Sequence, residues 1–412
     1  MAGRDRISEL PFDIIDKILR FLLIEEVARM AVLSTFWKDI WFSLTHLNFD
    51  AKFLKHIEKK YSHAHNDNRT KNMKKKRRIN DIWTSAGLHV INKVLIQHNG
   101  FINKFVIDFS HTPRNTLRSR SFDIDQWLLL VTQKGVEEIN ISLRPENEYS
   151  LPNCIFSCPS LKILHIYGVS IKPINAQCTL PNVTSLQFQD VNFDGGDLLV
   201  DVPMLNSLSF IGCKNMTTFN IAAKKLDHLA ILDCSFYEFS DNLELRYFRS
   251  LELDNSSIKD FVYEFIRRTR LPLRQHALNV QHLTISTKEE LSSLDNDDEM
   301  RIGVSAFMYL LQICPHLRIF DVDLSFSEIL PKLPELLHIV RHGYKMLRIL
   351  ELQEFAGFQR QILFIKELLA CSPILEKVVI NRGRVTNIYF ENNKEEILHF
   401  HRASTKVEII FR

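Results

Sequence analysis

Cys154 and Cys158 stand four residues apart in "CIFSC", and His63 and His65 flank a single alanine. Thiolates and imidazoles are the usual ligands of a structural zinc ion, which takes four of them in paired spacings. No second Cys or His pair follows Cys158 at such a spacing, and the two histidines lie in a polar tract, so the expectation is no metal and no cofactor. The chain lacks the G-x-x-x-x-G-K-[ST], H-E-x-x-H and G-x-S-x-G patterns that would announce phosphate, zinc-protease or serine-hydrolase chemistry. Only 12 glycines occur in 412 residues. That scarcity argues against glycine-rich phosphate loops and a Rossmann-type enzyme. The expectation is a chain with no catalytic residues of its own.

Charge is concentrated in one place. Residues 69–78, "RTKNMKKKRR", hold seven basic residues and no acid; without them 45 basic residues face 49 acidic ones, a balance of −4. Lys74, Lys75, Lys76, Arg77 and Arg78 form a candidate nuclear import signal, and the same run could serve as a solvated loop or touch a polyanion. It contains no Phe or Tyr on which a base could stack, and the mildly acidic body argues against a nucleic-acid partner. Seven cysteines, an odd number at irregular spacing, suggest reduced thiols. Neither a signal-peptide run nor an apolar stretch of membrane-spanning length is present, so the chain reads as soluble, in the cytoplasm and/or nucleus, with no membrane partner.

The elements that could position a binding surface begin at "ELPFDIIDKILRFLL", residues 9–23. On a helical projection of Phe12 to Leu22, the apolar residues fill an arc of about 180°, wider than the stripe of about 100° that suffices for packing on one's own domain. Pro11 suits the first turn of this helix. A second helix is expected over 25–33. Ser34 offers the N-cap of a third, which carries Phe36, Trp37, Ile40 and Trp41. Three short helices make a marginal core, which support from a partner would complete. Leu10-Pro11, Ile14, Ile18-Leu19, Phe21-Leu22, Val27, Val32-Leu33-Ser34, Trp37 and Trp41 resemble the plant F-box, over residues 4–50. The resemblance implies docking onto the Skp-type adaptor of a cullin–RING ubiquitin ligase, with Leu10, Pro11, Ile14, Ile18, Leu19 and Leu22 facing the adaptor.

Past residue 100 an apolar-x-x-apolar-x-apolar unit recurs, starting at 161, 183, 205, 226 and 248. Irregular copies start at 102, 136, 280, 317, 347 and 375. This is a leucine-rich-repeat pattern with one short strand per unit. Alternation along each strand puts the named apolar residues inward and their neighbours on an open, concave face. His165 and Tyr167 are expected there in the early units, and Glu252, Asp254, Asp321, Asp323 and Glu351 in the later ones, as a candidate target-binding surface that drifts from neutral to acidic. Cys213 and Cys234 hold the ninth place of their units and read as buried thiols. Helical spacing recurs at Leu333, Leu336, Leu337 and Val340 and at Ile362, Ile365 and Leu369.

The segments 122–143, 347–380 and 400–411 resemble the plant family that joins an F-box to leucine-rich repeats and a C-terminal FBD region. The expected fold is α/β: a small N-terminal three-helix F-box (4–50), a basic flexible linker (51–80), an irregular leucine-rich-repeat solenoid (81–346) and an FBD-like C-terminal segment (347–412). The resemblance implies a substrate-recruiting subunit of an SCF-type ligase. It would bind a Skp-type adaptor, and through it a cullin, by its F-box, and an unknown target protein by its repeats. The alternative is a repeat-based interaction scaffold that never enters a ligase.

Overall fold

A computed structural model describes residues 7–64, 73–112, 117, 120–172, 178–194, 198–216, 219–234, 248–269, 277–286, 306–325, 345–383 and 390–412. The chain divides into two compact units, 1–204 and 205–412.

The first unit opens with three short helices, α1 (Phe12–Leu19), α2 (Ile24–Met30) and α3 (Thr35–Phe42). Helix α1 ends at Leu19, three residues short of the projected limit. The chain turns there because Leu23 is extended and begins α2, its N–H held at 2.9 Å by the Glu26 carboxylate. Ser34 caps α3 as its position suggested, its hydroxyl accepting the Trp37 N–H at 3.3 Å. Ile15, Leu19, Ile24, Val27, Trp37 and Ile40 are buried and form the core of the cluster.

Five parallel strands follow in register: β1 (His46–Phe49), β2 (Lys104–Asp108), β3 (Glu138–Ser142), β4 (Ile163–Tyr167) and β5 (Ser185–Gln189). Leu47, Phe105, Ile139, Leu164 and Leu186 align in one buried column, and Phe49, Ile107, Ile141, Ile166 and Phe188 in the next. Each such side chain contributes about 1.5–3 kcal/mol by leaving water, so the columns bind neighbouring repeats together.

The second unit continues the pattern with eight strands. They are β6 (Ser207–Ile211), β7 (His228–Leu232), β8 (Ser250–Asp254), β9 (His282–Ser286), β10 (Ile319–Asp323), β11 (Ile349–Phe355), β12 (Lys377–Arg382) and β13 (Glu408–Phe411). All adjacent pairs are parallel. Every repeat start read from the sequence is followed two residues later by a strand.

The way out of the strand is also periodic. Gly168, Asp190, Gly212 and Asp233, each directly after a strand, have φ between 49° and 72°. Glycine and aspartate are among the few residues that tolerate this left-handed turn. At Gly168 a Cβ would fall 2.0 Å from the Leu143 carbonyl oxygen, so no other residue fits without a backbone shift.

Residues 51–80 correct the expectation of a flexible linker. Helix α4 (Ala51–Ala64) and helix α5 (Met73–Gln97) occupy most of this stretch, while 65–72 lie outside the described residues. The physical reason is apolar periodicity beneath a polar composition. Phe53, Leu54 and Ile57 on α4, and Trp83, Leu88, Ile91 and Leu95 on α5, are buried. Phe49 of β1 meets Phe53 edge-on at 5.3 Å. Helix α6 (Ser121–Gln133) buries Ile124, Trp127, Leu128 and Val131, and the Trp127 indole N–H donates to Asn92 of α5.

In the second unit, α7 (Asn255–Thr269) follows β8 directly. Helix α8 (Gln359–Cys371) buries Ile362, Ile365 and Leu369 as their spacing predicts. A last helix, α9 (Phe390–Leu398), precedes β13. The helical pattern at Leu333, Leu336, Leu337 and Val340 lies outside the described residues.

Candidate docking faces

Helix α1 has two sides. Ile15 and Leu19 are 1% and 4% exposed and pack inward, whereas Ile14 and Ile18, one turn apart, are 42% and 47% exposed. Residues four apart on a helix share a face, so these two form the centre of an apolar strip. Leu10, Pro11 and Phe12 at one end and Leu22 at the other are also exposed. Phe21, at 90%, stands almost entirely in solvent. The turn between α2 and α3 adds Val32 and Leu33, at 86% and 71%, with Phe36 behind them. Isolated exposed aliphatics need no explanation, but so many within 27 residues form the kind of surface that marks an interaction site.

This cluster is tied to the sheet by hydrogen bonds. Asp16, 3% exposed, accepts the Thr45 N–H at 3.1 Å and the Thr45 hydroxyl at 2.6 Å. The Arg20 guanidinium donates to the same carboxylate at 2.7 and 3.1 Å. Burial pushes the Asp16 carboxyl up, but the bonds from Thr45 and Arg20 outweigh it and hold the group below the ordinary carboxylate value. Thr45 in turn accepts, at its carbonyl, the N–H groups of Asn103 (2.7 Å) and Lys104 (3.1 Å) as β2 begins. Asn99 N–H donates to the Phe42 carbonyl at 2.8 Å. The buried His98 donates its Nε2–H to the Leu44 carbonyl at 2.8 Å. His46 and His98 are both held below the ordinary imidazole value, chiefly by burial.

The open sheet faces have different chemistry in the two units. In the first, Val106, Asn140, His165 and Gln187 align across the strands, and Asp108, Ser142, Tyr167 and Gln189 form the next row. His165 is half-buried and held below the usual imidazole value by that burial. Burial and the nearby Asp190 raise the Tyr167 hydroxyl. In the second unit, Glu252, Thr284, Asp321 and Glu351 share one row, and Asp323 pairs with Gln353 in the next. Burial raises the Asp321 carboxyl, and the charges of Glu351 and Asp323 add to the effect. The Gln353 amide, donating to Asp321 at 3.1 Å, opposes it in part.

Among the described residues no group of three or more His, Cys, Asp or Glu could hold a metal ion, and no helix is long and apolar enough to cross a membrane. Lys74–Arg78 fall in the first turns of α5.

Two family comparisons match this architecture. The F-box domain family matches residues 7–47, and the family described as At1g61320/AtMIF1, LRR domain, matches residues 94–403, three quarters of the chain. The chain belongs to the plant F-box/LRR/FBD family. Among its relatives, the Arabidopsis thaliana F-box/FBD/LRR-repeat protein At1g13570 is 24% identical, over 99% of this chain and 98% of its own length. The putative F-box/FBD/LRR-repeat protein At5g44950 is 23% identical, over 92% of both chains. The F-box/LRR-repeat protein At3g59200 is 27% identical over 58% of this chain and 43% of its own length. This F-box/LRR protein thus has the two parts of a substrate receptor, a family whose members are as a rule non-catalytic.

Two of the expected site residues prove structural. Leu19 of the F-box is 4% exposed and lies beside Ile24, Val27 and Leu44, on the inner side of α1 with Ile15 rather than outward. Asp254 is 3% exposed and off the open face. Its carboxylate accepts the Ser257 N–H (2.9 Å), the Ser256 hydroxyl (2.8 Å) and the Asp233 N–H (2.9 Å), which fixes the start of α7 against the turn after β7. Leu10, Pro11, Ile14, Ile18 and Leu22 remain on the F-box surface. Phe12, Phe21, Val32, Leu33 and Phe36 join them, although the sequence reading does not assign them to the adaptor face. For Val32, Leu33 and Phe36 the signal is the "AVLSTF" run, two large residues placed just before a helix cap.

Proposed function

We propose that this F-box/LRR protein is the substrate-recruiting subunit of an SCF-type cullin–RING ubiquitin ligase. Its F-box docks on a Skp-type adaptor and its repeats hold a target protein. The observation that supports this reading is the division of labour on α1: Ile15 and Leu19 complete the core while Ile14 and Ile18 stay outside it. A helix that served only as a cap would have no use for the second pair. The chain then contributes proximity, raising the local concentration of a target lysine near the charged ubiquitin carrier. Ubiquitin transfer itself belongs to other subunits. In domain terms the proposal assigns the F-box to 4–50, the repeats to 81–346 and the FBD-like segment to 347–412.

For target capture we propose the open faces of the repeats. His165 and Tyr167 lie on the first, and Glu252, Asp321, Asp323 and Glu351 on the second. The acidic row of the second unit favours a basic segment of the target. We also keep Lys74–Arg78 as an import signal, read by comparing nuclear accumulation before and after neutralising the run.

The test is co-elution of the full-length chain with a recombinant Skp-type adaptor and its cullin. A stoichiometric complex is expected, stable through gel filtration. A chain that stays monomeric beside the adaptor at micromolar concentration removes the ligase reading and leaves the scaffold alternative. Replacing Asp321, Asp323 and Glu351 by Lys should leave that complex intact and reduce capture of the native target. Undiminished capture removes the acidic-face assignment alone.

A further inference from the structure

We propose that Asp16 is a positioning residue: through Thr45 and Arg20 it holds the adaptor-facing helix at a fixed angle on the first strand of the repeat sheet. The inference rests on the docking reading of Leu10, Ile14 and Ile18.

A buried carboxylate is an expensive way to fill space. Without partners it costs several kcal/mol, and an aliphatic side chain would pack at least as well beside Leu19 and Leu44. Of the two partners of Asp16 one closes α1 itself and the other lies on the sheet side, and the Arg20 guanidinium also reaches the Thr45 hydroxyl at 3.4 Å. Arg20 is the residue that ends the helix, and Thr45 stands 29 residues away, immediately before β1. Thr45 uses its N–H and hydroxyl on Asp16 and its carbonyl on Asn103 and Lys104. One residue thereby joins the docking helix to the first two strands.

Apolar contact alone would not do this. It is non-directional and lets packed surfaces roll over one another. A carboxylate held by several charge-assisted or short hydrogen bonds has a preferred direction for each donor. The surrounding contacts prolong the stiff path. Asn99 and His98 donate to Phe42 and Leu44, Lys134 Nζ donates to the His98 carbonyl at 2.8 Å, and Gly100 lies close against the Ser43 backbone, where a Cβ would meet the Ser43 Cα at 3.1 Å. The clamp faces away from Ile14 and Ile18, so its loss should alter where the adaptor sits without weakening its grip.

The experiment uses the full-length chain with Cys154 and Cys371 replaced by Ser and nitroxides placed at Lys38 of α3 and Ser157, both exposed. The distance distribution is read by double electron–electron resonance in the wild type, Asp16→Asn, Asp16→Ala and Thr45→Val, alongside adaptor affinity and circular dichroism. The wild type should give one narrow distribution, and the variants a distribution broadened by about twofold or more as alternative orientations become populated. Adaptor affinity should stay within about threefold of wild type, the range expected when a contact surface is untouched. Folded variants whose distribution remains as narrow as the wild type's overturn the proposal. So does a folded Asp16→Asn chain that loses the adaptor while its distribution stays narrow, since Asp16 would then belong to the docking face. Thr45→Val carries the test if Asp16→Ala does not fold. If the wild type fails to bind the adaptor, the docking reading falls while the distance measurement still judges the clamp.

Discussion

Ile18→Asp offers the sharpest test of the docking face, because its two consequences can be worked out separately. Ile18 is 47% exposed in the free chain. Covering the exposed half of an isoleucine is worth about 0.7–1.4 kcal/mol, half of the full-burial figure. Ile18→Ala should therefore weaken adaptor binding by about three- to tenfold. Aspartate at the same place adds an unpaired carboxylate in an apolar contact, which costs about 3–5 kcal/mol. The sum, about 4–6 kcal/mol, is about a thousandfold or more in Kd. Fold stability should hardly move, by about 0.5 kcal/mol or less, since the side chain lies outside the core. Ile15→Asp, one residue earlier and 1% exposed, should instead unfold the F-box. Calorimetric titration with the adaptor, paired with a thermal melt, separates these outcomes. A folded Ile18→Asp chain that binds the adaptor within about threefold of wild type would refute the assignment of this face.

Further predictions concern the residues reassigned to structural roles and the junction between F-box and sheet. Leu19→Ala should cost about 2–5 kcal/mol in urea unfolding through the cavity it leaves, yet leave adaptor affinity unchanged at a temperature where the variant is folded. Asp254→Ala should lower stability by about 1–3 kcal/mol, since two backbone N–H groups lose their acceptor, without altering target capture. The pH dependence follows from the groups at the junction. Asp16 has a folded value below 3.8, so its contribution is complete above that pH and is lost as pH falls through the folded value. His98 has a folded value below 6.5. Below 6.5 the unfolded chain binds a proton that the folded chain refuses, and stability declines with acid from there. His46, facing Arg20, Asp16, Lys104 and Glu138, acts in the same sense, whereas the raised carboxyls of Glu25 and Asp321 act in the opposite one. The difference in urea midpoint between wild type and His98→Gln, followed from pH 8 to 5, isolates His98; no change in that difference would contradict its role.

How much of this was legible depends on the range of the forces involved. The strand at each repeat start is written locally, in the alternation that buries Leu164 and Ile166 and leaves His165 half-covered. The first strand is harder to read although Leu44, Leu47 and Phe49 repeat the same spacing, because the residues around it carry the F-box pattern. Helices α4 and α5 were hidden by their lysines, which mask the three- and four-residue steps that link Phe53 and Leu54 to Ile57, and Leu88 to Ile91 to Leu95. Asp254 alternates like an open-face residue; only the helix that begins after it, with Ser256 and Ser257 as donors, draws it inward. Asp16 sits among the polar residues of α1, and nothing nearby foretells a partner as distant as Thr45. Local periodicity thus predicts elements well, while the ties between elements depend on residues far apart in the chain.

Because β1 is the opening rung of the ladder, removing residues 1–50 would not be a clean amputation. It would strip Leu47 and Phe49 from Phe105 and Ile107, take away the carbonyl that receives Asn103 and Lys104, and convert β2 into a raw margin. A protein cut there would be prone to clumping for reasons unrelated to ubiquitin. Investigators who want a receptor severed from its ligase should silence the docking helix by single substitutions, or begin their shortened chain upstream of Leu44.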